Sequence, residues 1–150
     1  GSRSEVVLPD GSVVKLNSGS DITYSYNAKE NIREVNFQGE GFFDVSKNKI
    51  PFVIKMSNGL RLKVHGTSFN LQAYTDEKTV EASLVEGCIE LDHGNDKLLM
   101  NAGDMAIFDK QTNKMRPTSG VLSHSYSWLE DKLYMDHMPP SVNIWRGGTM

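Results

Sequence analysis

Short runs in which apolar and polar residues alternate cover much of this 150-residue chain, and they constrain its fold more than any other feature. A repeat of two residues is typical of a β-strand with one buried face, whereas an amphipathic helix repeats about every 3.6 residues. Residues 60–65, for example, have the sequence Leu-Arg-Leu-Lys-Val-His. Because helical periodicity is nearly absent, the chain is predicted to be all-β.

Glycine-containing turns connect these runs into predicted hairpins. Asp10-Gly11 and Asn58-Gly59 are dipeptides that accept the positive φ of tight turns. Further turns are predicted at 93–96 and 102–104, so the middle of the chain is expected to form consecutive hairpins. Gly87 is predicted to interrupt a strand as a bulge residue does.

About ten short strands with closely spaced turns favour a β-sandwich over a βαβ fold, which would need helical segments between the strands. We therefore expect a jelly-roll-like stack of antiparallel hairpins with a short C-terminal appendage. Four aromatic residues are predicted to fill the core between the sheets, and a ligand platform is the alternative. They are Phe42, Phe43, Phe52 and Phe69.

The strand pattern loosens after Thr112, and this change sets the predicted domain boundaries. We expect a β domain over 1–112, a linker over 113–124 that is polar and contains Gly and Pro, and the start of a truncated or divergent C-terminal domain over 125–150. The chain begins with Gly1, so it is expected to be part of a longer protein. No run approaches the ~18 consecutive apolar residues of a membrane-spanning helix.

The charge balance bears on possible partners. Sixteen basic and 19 acidic residues give a formal charge of −3. A protein that binds nucleic acid without sequence preference needs a basic face, so nucleic acid is not an expected partner. The single cysteine, Cys88, excludes an internal disulfide and leaves the redox compartment open.

Signals for metal binding or catalysis are weak. The four histidines lie at positions 65, 93, 124 and 137, without a metal-ligand motif, so neither a metal nor another cofactor is expected. Glu40 and Asp44 could act as the two carboxylates of a glycosidase only if they faced each other across a cleft. Such residues are more often turn or strand-edge acids. We therefore expect no enzyme that acts on a foreign substrate.

An ordered set of motifs runs from about residue 5 to 109. Its segments are Leu8-Pro9-Asp10-Gly11-Ser12-Val13, Arg33-Glu34-Val35, Gly39-Glu40-Gly41-Phe42-Phe43-Asp44-Val45, Pro51-Phe52-Val53, Val64-His65-Gly66-Thr67-Ser68-Phe69-Asn70-Leu71, Leu84-Val85-Glu86-Gly87 and Gly103-Asp104. Each motif alone is common turn or strand chemistry. Together, and in this order, they resemble the FecR family of periplasmic signalling proteins.

This resemblance implies the periplasmic domain of a single-pass inner-membrane anti-sigma factor. In that family a cytoplasmic segment holds an extracytoplasmic-function sigma factor, and the outer part contacts the signalling domain of a TonB-dependent outer-membrane transporter. The cytoplasmic segment and the membrane helix are expected outside this chain. Residues 128–139 are similar to the segment that opens the C-terminal domain of Bacteroidetes members, so Trp128 and Tyr134 are the partner-binding candidates.

The resemblance also implies a possible self-cleavage at Gly66-Thr67, since some members cleave themselves at this bond through an N-to-O acyl shift. Glycine would admit a strained backbone at the attacked carbonyl, and His65 is a candidate proton shuttle. The alternative is that Gly66 is a bulge or close-packing glycine and Thr67 an ordinary strand residue.

Two functions of other classes stay open at this point. A carbohydrate-binding β-sandwich is one, because sugars stack on exposed aromatic rings and the chain contains Trp128 and Trp145. The other is a structural spacer that relays tension and has no recognition surface of its own.

Overall fold

The computed structural model describes residues 3–119, which form twelve β-strands and one 3₁₀ turn at Ser57–Gly59. This confirms the predicted all-β class. The strands are β1 (Ser4–Val7), β2 (Val13–Leu16), β3 (Asp21–Asn27), β4 (Ile32–Asp44), β5 (Phe52–Lys55), β6 (Arg61–Val64), β7 (Ser68–Ala73), β8 (Thr79–Glu86), β9 (Cys88–His93), β10 (Asp96–Asn101), β11 (Asp104–Asp109) and β12 (Lys114–Ser119).

The strands form one continuous sheet that folds into two facing layers. Sheet A has the order β1-β2-β4-β7-β8-β11-β12, and sheet B has the order β3-β4-β5-β6-β9-β10. The pairing of β4 with β5 is parallel, and the other pairings among the described strands are antiparallel. The long strand β4 belongs to both layers.

Gly39 is the point at which β4 passes from sheet B to sheet A. Residues 32–38 pair with β3, and residues 39–44 pair with β7. Gly39 has φ 116°, a value that L side chains rarely adopt, and a β-carbon there would lie 2.5 Å from the Ser20 Cα atom. Glycine is therefore required at this corner.

Gly87 marks a second passage between the sheets. It has φ 95° and separates β8 of sheet A from β9 of sheet B. The predicted interruption at Gly87 is confirmed. It divides two strands of different sheets, however, and does not form a bulge within one strand.

Three of the four predicted turns form hairpins. Asp10-Gly11 lies between β1 and β2, Asn58-Gly59 between β5 and β6, and residues 93–96 between β9 and β10. The prediction of a hairpin at 102–104 is wrong, because β10 pairs with β9 in sheet B while β11 pairs with β8 and β12 in sheet A.

The core between the sheets contains Phe43, Phe52 and Phe69, as predicted. The Phe43 and Phe69 rings are stacked, with centroids 5.1 Å apart and an interplanar angle of 2°, and the Phe52 ring meets Phe43 nearly edge-on at 6.4 Å. Phe42 was wrongly predicted to join this core. It is buried on the opposite face of sheet A, because successive side chains of a strand point to opposite faces.

The strand β12 occupies residues 114–119 and pairs with β11, so the sheet continues into the first part of the predicted linker. A short polar strand at the edge of a sheet lacks the strong apolar alternation that identifies central strands. The rest of that linker and residues 125–150 lie outside the described residues.

Candidate functional site

The Gly66-Thr67 bond lies in the three-residue connection between β6 and β7. β6 belongs to sheet B and β7 to sheet A, so this connection crosses from one layer to the other. The sequence predicts this bond within or beside a strand. The structure places it in a short link that bends at His65 and Gly66 and is held by groups from several loops.

Gly66 is explained by close packing. A β-carbon at this position would lie 2.5 Å from Lys47 Cγ and 2.9 Å from Lys47 Cα. The φ of Gly66 is outside the positive region, so the strained conformation expected from the sequence is not found. Lys47 approaches the link closely because Gly66 has no side chain.

Thr67 is 5% exposed, and its hydroxyl Oγ1 is buried without a hydrogen-bond partner among the described residues. Its carbonyl accepts a hydrogen bond from the Val45 amide at 2.8 Å. A β-carbon at Gly87 would collide with the Thr67 methyl group. Buried hydroxyls normally form hydrogen bonds. The Thr67 hydroxyl is an exception: it is enclosed, and no described residue forms a hydrogen bond with it.

His65 has an exposed side chain, while the backbone carbonyl of the same residue is firmly held. That carbonyl accepts hydrogen bonds from the Asn48 amide at 3.0 Å and from Arg33 Nη2 at 3.3 Å. Among the described residues no hydrogen bond joins the His65 imidazole to Thr67. The proton-shuttle role of His65 therefore stays a prediction.

An open depression of about 540 Å³ lies against the link. It is lined by Lys47, Asn48, Lys49, His65 and Gly66. The depression gives water access to the Gly66 side of the bond, whereas Thr67 is enclosed on the other side.

A largely buried cluster of Asp10, Ser12, Arg33 and Ser46, here called the Arg33 cluster, holds this link in place. Arg33 Nη1 donates to Asp10 Oδ2 at 2.8 Å and to the Ser46 carbonyl at 2.9 Å. The Ser12 hydroxyl donates to Asp10 Oδ2 at 2.8 Å and accepts from the Ser46 amide at 2.9 Å. The cluster thus connects the β1–β2 turn, the start of β4 and the His65 carbonyl.

Electrostatics favour the ionised form of Asp10. Burial by itself would raise the pKa of Asp10. The hydrogen bond from the Ser12 amide and the bond and charge of Arg33 outweigh that effect, so the pKa of Asp10 lies below its ordinary value of 3.8. Sequence reasoning missed this role, because Asp10-Gly11-Ser12 was interpreted as turn chemistry alone. The sequence feature that could have revealed this role is Arg33 itself. It is a charged residue at a strand position where the alternation predicts an inward-facing apolar side chain.

The other sequence-derived candidates are not brought together. Glu40 and Asp44 lie on one strand four residues apart, a separation of about 13 Å at the rise of a strand, which exceeds the spacing of glycosidase carboxylates. Cys88 is exposed. Among residues 3–119 no group of three or more His, Cys, Asp or Glu could hold a metal ion. Trp128 and Tyr134 lie outside the described residues.

No helix among residues 3–119 has the length and apolar character needed to span a membrane.

Comparison with known proteins gives a family match. The model of the family described as FecR protein matches residues 1–90. No curated protein sequence matches the chain.

Two solved crystal structures are similar in fold, and both are described as proposed anti-sigma factors from Parabacteroides distasonis. One has a TM-score of 0.73 and 29% identity, with 79% of this chain and 56% of that chain covered. The other has a TM-score of 0.74 and 25% identity, with 97% of this chain and 69% of that chain covered. The chain thus spans little more than half of the first of these proteins.

Proposed function

Because the chain belongs to the FecR family, we propose that it is part of an anti-sigma factor and acts by contacting other proteins. The match over residues 1–90 is the observation that carries this proposal, since it covers strands β1 to β8 and the Arg33 cluster. Two structural neighbours described as proposed anti-sigma factors support it. The sigma factor is bound by a cytoplasmic segment outside this chain.

In the proposed arrangement this chain lies in the periplasm, attached to the inner membrane through a single helix that is also outside the chain. It receives a signal from the signalling domain of a TonB-dependent outer-membrane transporter and relays it towards the sigma factor. Trp128 and Tyr134 are the proposed contact residues. No cofactor and no foreign substrate take part.

Transcription in the source organism tests this role. Deletion of the whole gene should change the transcripts that depend on the extracytoplasmic-function sigma factor encoded beside it, and it should abolish their response to the transporter's ligand. A control strain that carries the gene with Leu99→Ala, a change at an exposed side chain, should behave as wild type. Unchanged transcripts after deletion would contradict the proposal.

A second proposal is a single self-cleavage at Gly66-Thr67, supported by the buried Thr67 hydroxyl that has no hydrogen-bond partner among the described residues. Thr67 Oγ1 attacks the Gly66 carbonyl carbon, and the bond from that carbon to the Thr67 nitrogen breaks. The hydroxyl proton passes to the released amine, which leaves an ester between Gly66 and Thr67. Water from the adjoining depression then hydrolyses this ester to a Gly66 carboxylate and restores the Thr67 hydroxyl.

Intact mass spectrometry of the purified chain tests self-cleavage. The expected products are fragments 1–66 and 67–150, formed over time in the wild type and in Thr67→Ser, which keeps the hydroxyl. Thr67→Val has nearly the same shape without the hydroxyl and should remain intact. His65→Ala should slow the reaction if His65 transfers the proton. A wild-type chain that stays whole after long incubation would overturn this second proposal without affecting the first.

A further inference from the structure

Sheet B ends at β3, and this strand has an open edge. Among the strands of residues 3–119, β3 pairs only with β4, and it does so over its whole length. In an antiparallel strand, alternate residues direct their backbone N–H and C=O groups to opposite sides. About half of these groups in β3 therefore face away from β4, towards a side where no described strand pairs with them.

Edge strands usually carry features that hinder pairing with another chain, such as charges, proline or a short length. The three other edge strands of the described sheets have such features. β1 has four residues and contains Glu5, β10 contains Lys97, and β12 contains Arg116 and Pro117. By contrast, β3 has seven residues without Lys, Arg or Pro, and its one charge is Asp21 at the first position. It is the least protected of these edges.

The inward-facing side chains of β3 are incompletely covered. Ile22 and Tyr24 pack against the core but are only partly buried, and Tyr26 is 52% exposed. Aromatic and β-branched side chains are the ones that gain most from a neighbouring strand. The edge thus offers apolar surface as well as backbone hydrogen bonds.

The sequence of β3 is complementary to itself. In an antiparallel pair centred on Tyr24, each residue of one copy meets the residue at the mirrored position of the other. The opposed pairs are Ile22 with Tyr26, Thr23 with Ser25, and Asp21 with Asn27. An aromatic ring opposite a β-branched side chain stabilises such a pairing, and no like charges meet.

The charges beyond the end of β3 fit the same arrangement. Lys29 is exposed in the turn after β3, at the end of the pair where Asp21 of a second copy would lie. Glu30 of the same turn already forms ion pairs within its own chain, with Lys55 at 3.7 Å and Arg61 at 3.5 Å. Its negative charge is therefore compensated without the second copy.

We propose that this chain forms a homodimer in which the β3 strands of two copies pair antiparallel about Tyr24. The pairing joins the two copies of sheet B into one continuous sheet. An interface built on one short strand from each copy is small, so the dimer is weak and depends on concentration. This proposal does not depend on the proposed anti-sigma role.

Sedimentation velocity of the full chain over a wide range of concentrations tests the dimer. We expect a monomer–dimer equilibrium in the wild type. Thr23→Lys combined with Ser25→Lys sets lysines opposite each other at both symmetric positions, and it should raise the dimer Kd about tenfold. Thr23→Glu combined with Ser25→Lys sets opposite charges in the same register and should restore dimerisation.

The two double variants differ only at position 23, so they are matched. Both changed positions are exposed, and far-UV circular dichroism should show that the variants fold. Leu99→Lys, on the edge strand β10, is the control and should leave the dimer Kd unchanged.

Hydrogen exchange measured by mass spectrometry provides a second test that needs no variant. The amides of β3 should exchange more slowly as the concentration of the wild-type chain rises. Three results would each overturn the proposal: a wild-type chain that stays monomeric, including one whose β3 pairs with a different protein; a dimer of equal strength in the two double variants; or exchange in β3 that does not depend on concentration.

Discussion

Arg33 Nη1 and Asp10 Oδ2 are 2.8 Å apart, and the two side chains are only 3% and 6% exposed. The Arg33 guanidinium also donates to the carbonyls of Ile50 and His65, and it lies 5.3 Å from the centre of the Phe52 ring. One buried cation thus joins the turn after β1 to the connections before β5 and β7.

Removal of Arg33 should therefore be costly. Arg33→Met leaves a buried Asp10 carboxylate without its partner, and we expect a loss of about 3–5 kcal/mol in the free energy of unfolding, measured by urea denaturation. Lys55→Met is the control, because the Lys55–Glu34 ion pair is partly exposed, and it should cost less than about 1 kcal/mol. Equal losses would show that the Arg33 cluster contributes no more than a surface pair.

The stability of the protein should decrease in acid through Asp10. Its pKa is lower in the folded chain than the ordinary 3.8, so the folded state binds fewer protons than the unfolded state. This contribution is fully present above about pH 5 and is lost as the pH falls through the folded pKa. The stability difference between wild type and Asp10→Asn should therefore shrink between about pH 5 and pH 2. A constant difference would contradict the lowered pKa.

The corner at Gly39 should not tolerate alanine. Both Gly39 and Gly59 have positive φ, but a β-carbon at Gly59 would meet nothing within 4 Å, whereas one at Gly39 would collide with Ser20. Gly59→Ala should cost about 1 kcal/mol from backbone strain alone. Gly39→Ala should cost about 1–3 kcal/mol more, because the corner must move. Thermal unfolding of both variants measures the difference, and similar midpoints would refute the steric explanation.

Truncation of the stacked aromatic pair should be far more disruptive than truncation at the surface. Phe69→Ala removes a fully buried ring from the contact with Phe43, and we expect a loss of about 3–5 kcal/mol. Leu99→Ala removes a side chain that is 72% exposed and should stay within about 0.5 kcal/mol of wild type. Denaturant titrations compare them; a loss below 1 kcal/mol for Phe69→Ala would count against the described core.

Local patterns predicted much of this fold. Alternation and the dipeptides Asp10-Gly11 and Asn58-Gly59 identified hairpins, because turn chemistry and strand periodicity are properties of neighbouring residues. The division of strands between two sheets was not predictable in the same way. The turn at 102–104 resembles a hairpin turn, since Asp104 accepts a hydrogen bond from the Asn101 amide at 2.8 Å. Its flanking strands nevertheless pair with distant partners.

The Arg33 cluster shows a similar limit for the site. Asp10 and Arg33 are 23 residues apart in sequence, and their contact depends on how β4 packs beside the β1–β2 turn. A single sequence shows the chemistry of each residue, but it does not show how close two such residues lie in the fold. The motif order singled out Gly66-Thr67 as a candidate, and the self-cleavage role stays a prediction. Of the two explanations for Gly66, the structure supports close packing against Lys47 and not backbone strain.

Direct binding tests the central claim that this chain works by contacting another protein. Isothermal titration would pair the protein, extended at its C-terminus to the natural end, with the purified signalling domain of the TonB-dependent transporter encoded beside it. The account predicts saturable one-to-one binding that is weakened by Trp128→Ala and Tyr134→Ala and unaffected by Leu99→Ala. Two folded proteins that release no heat and show no association by an independent optical method would contradict it.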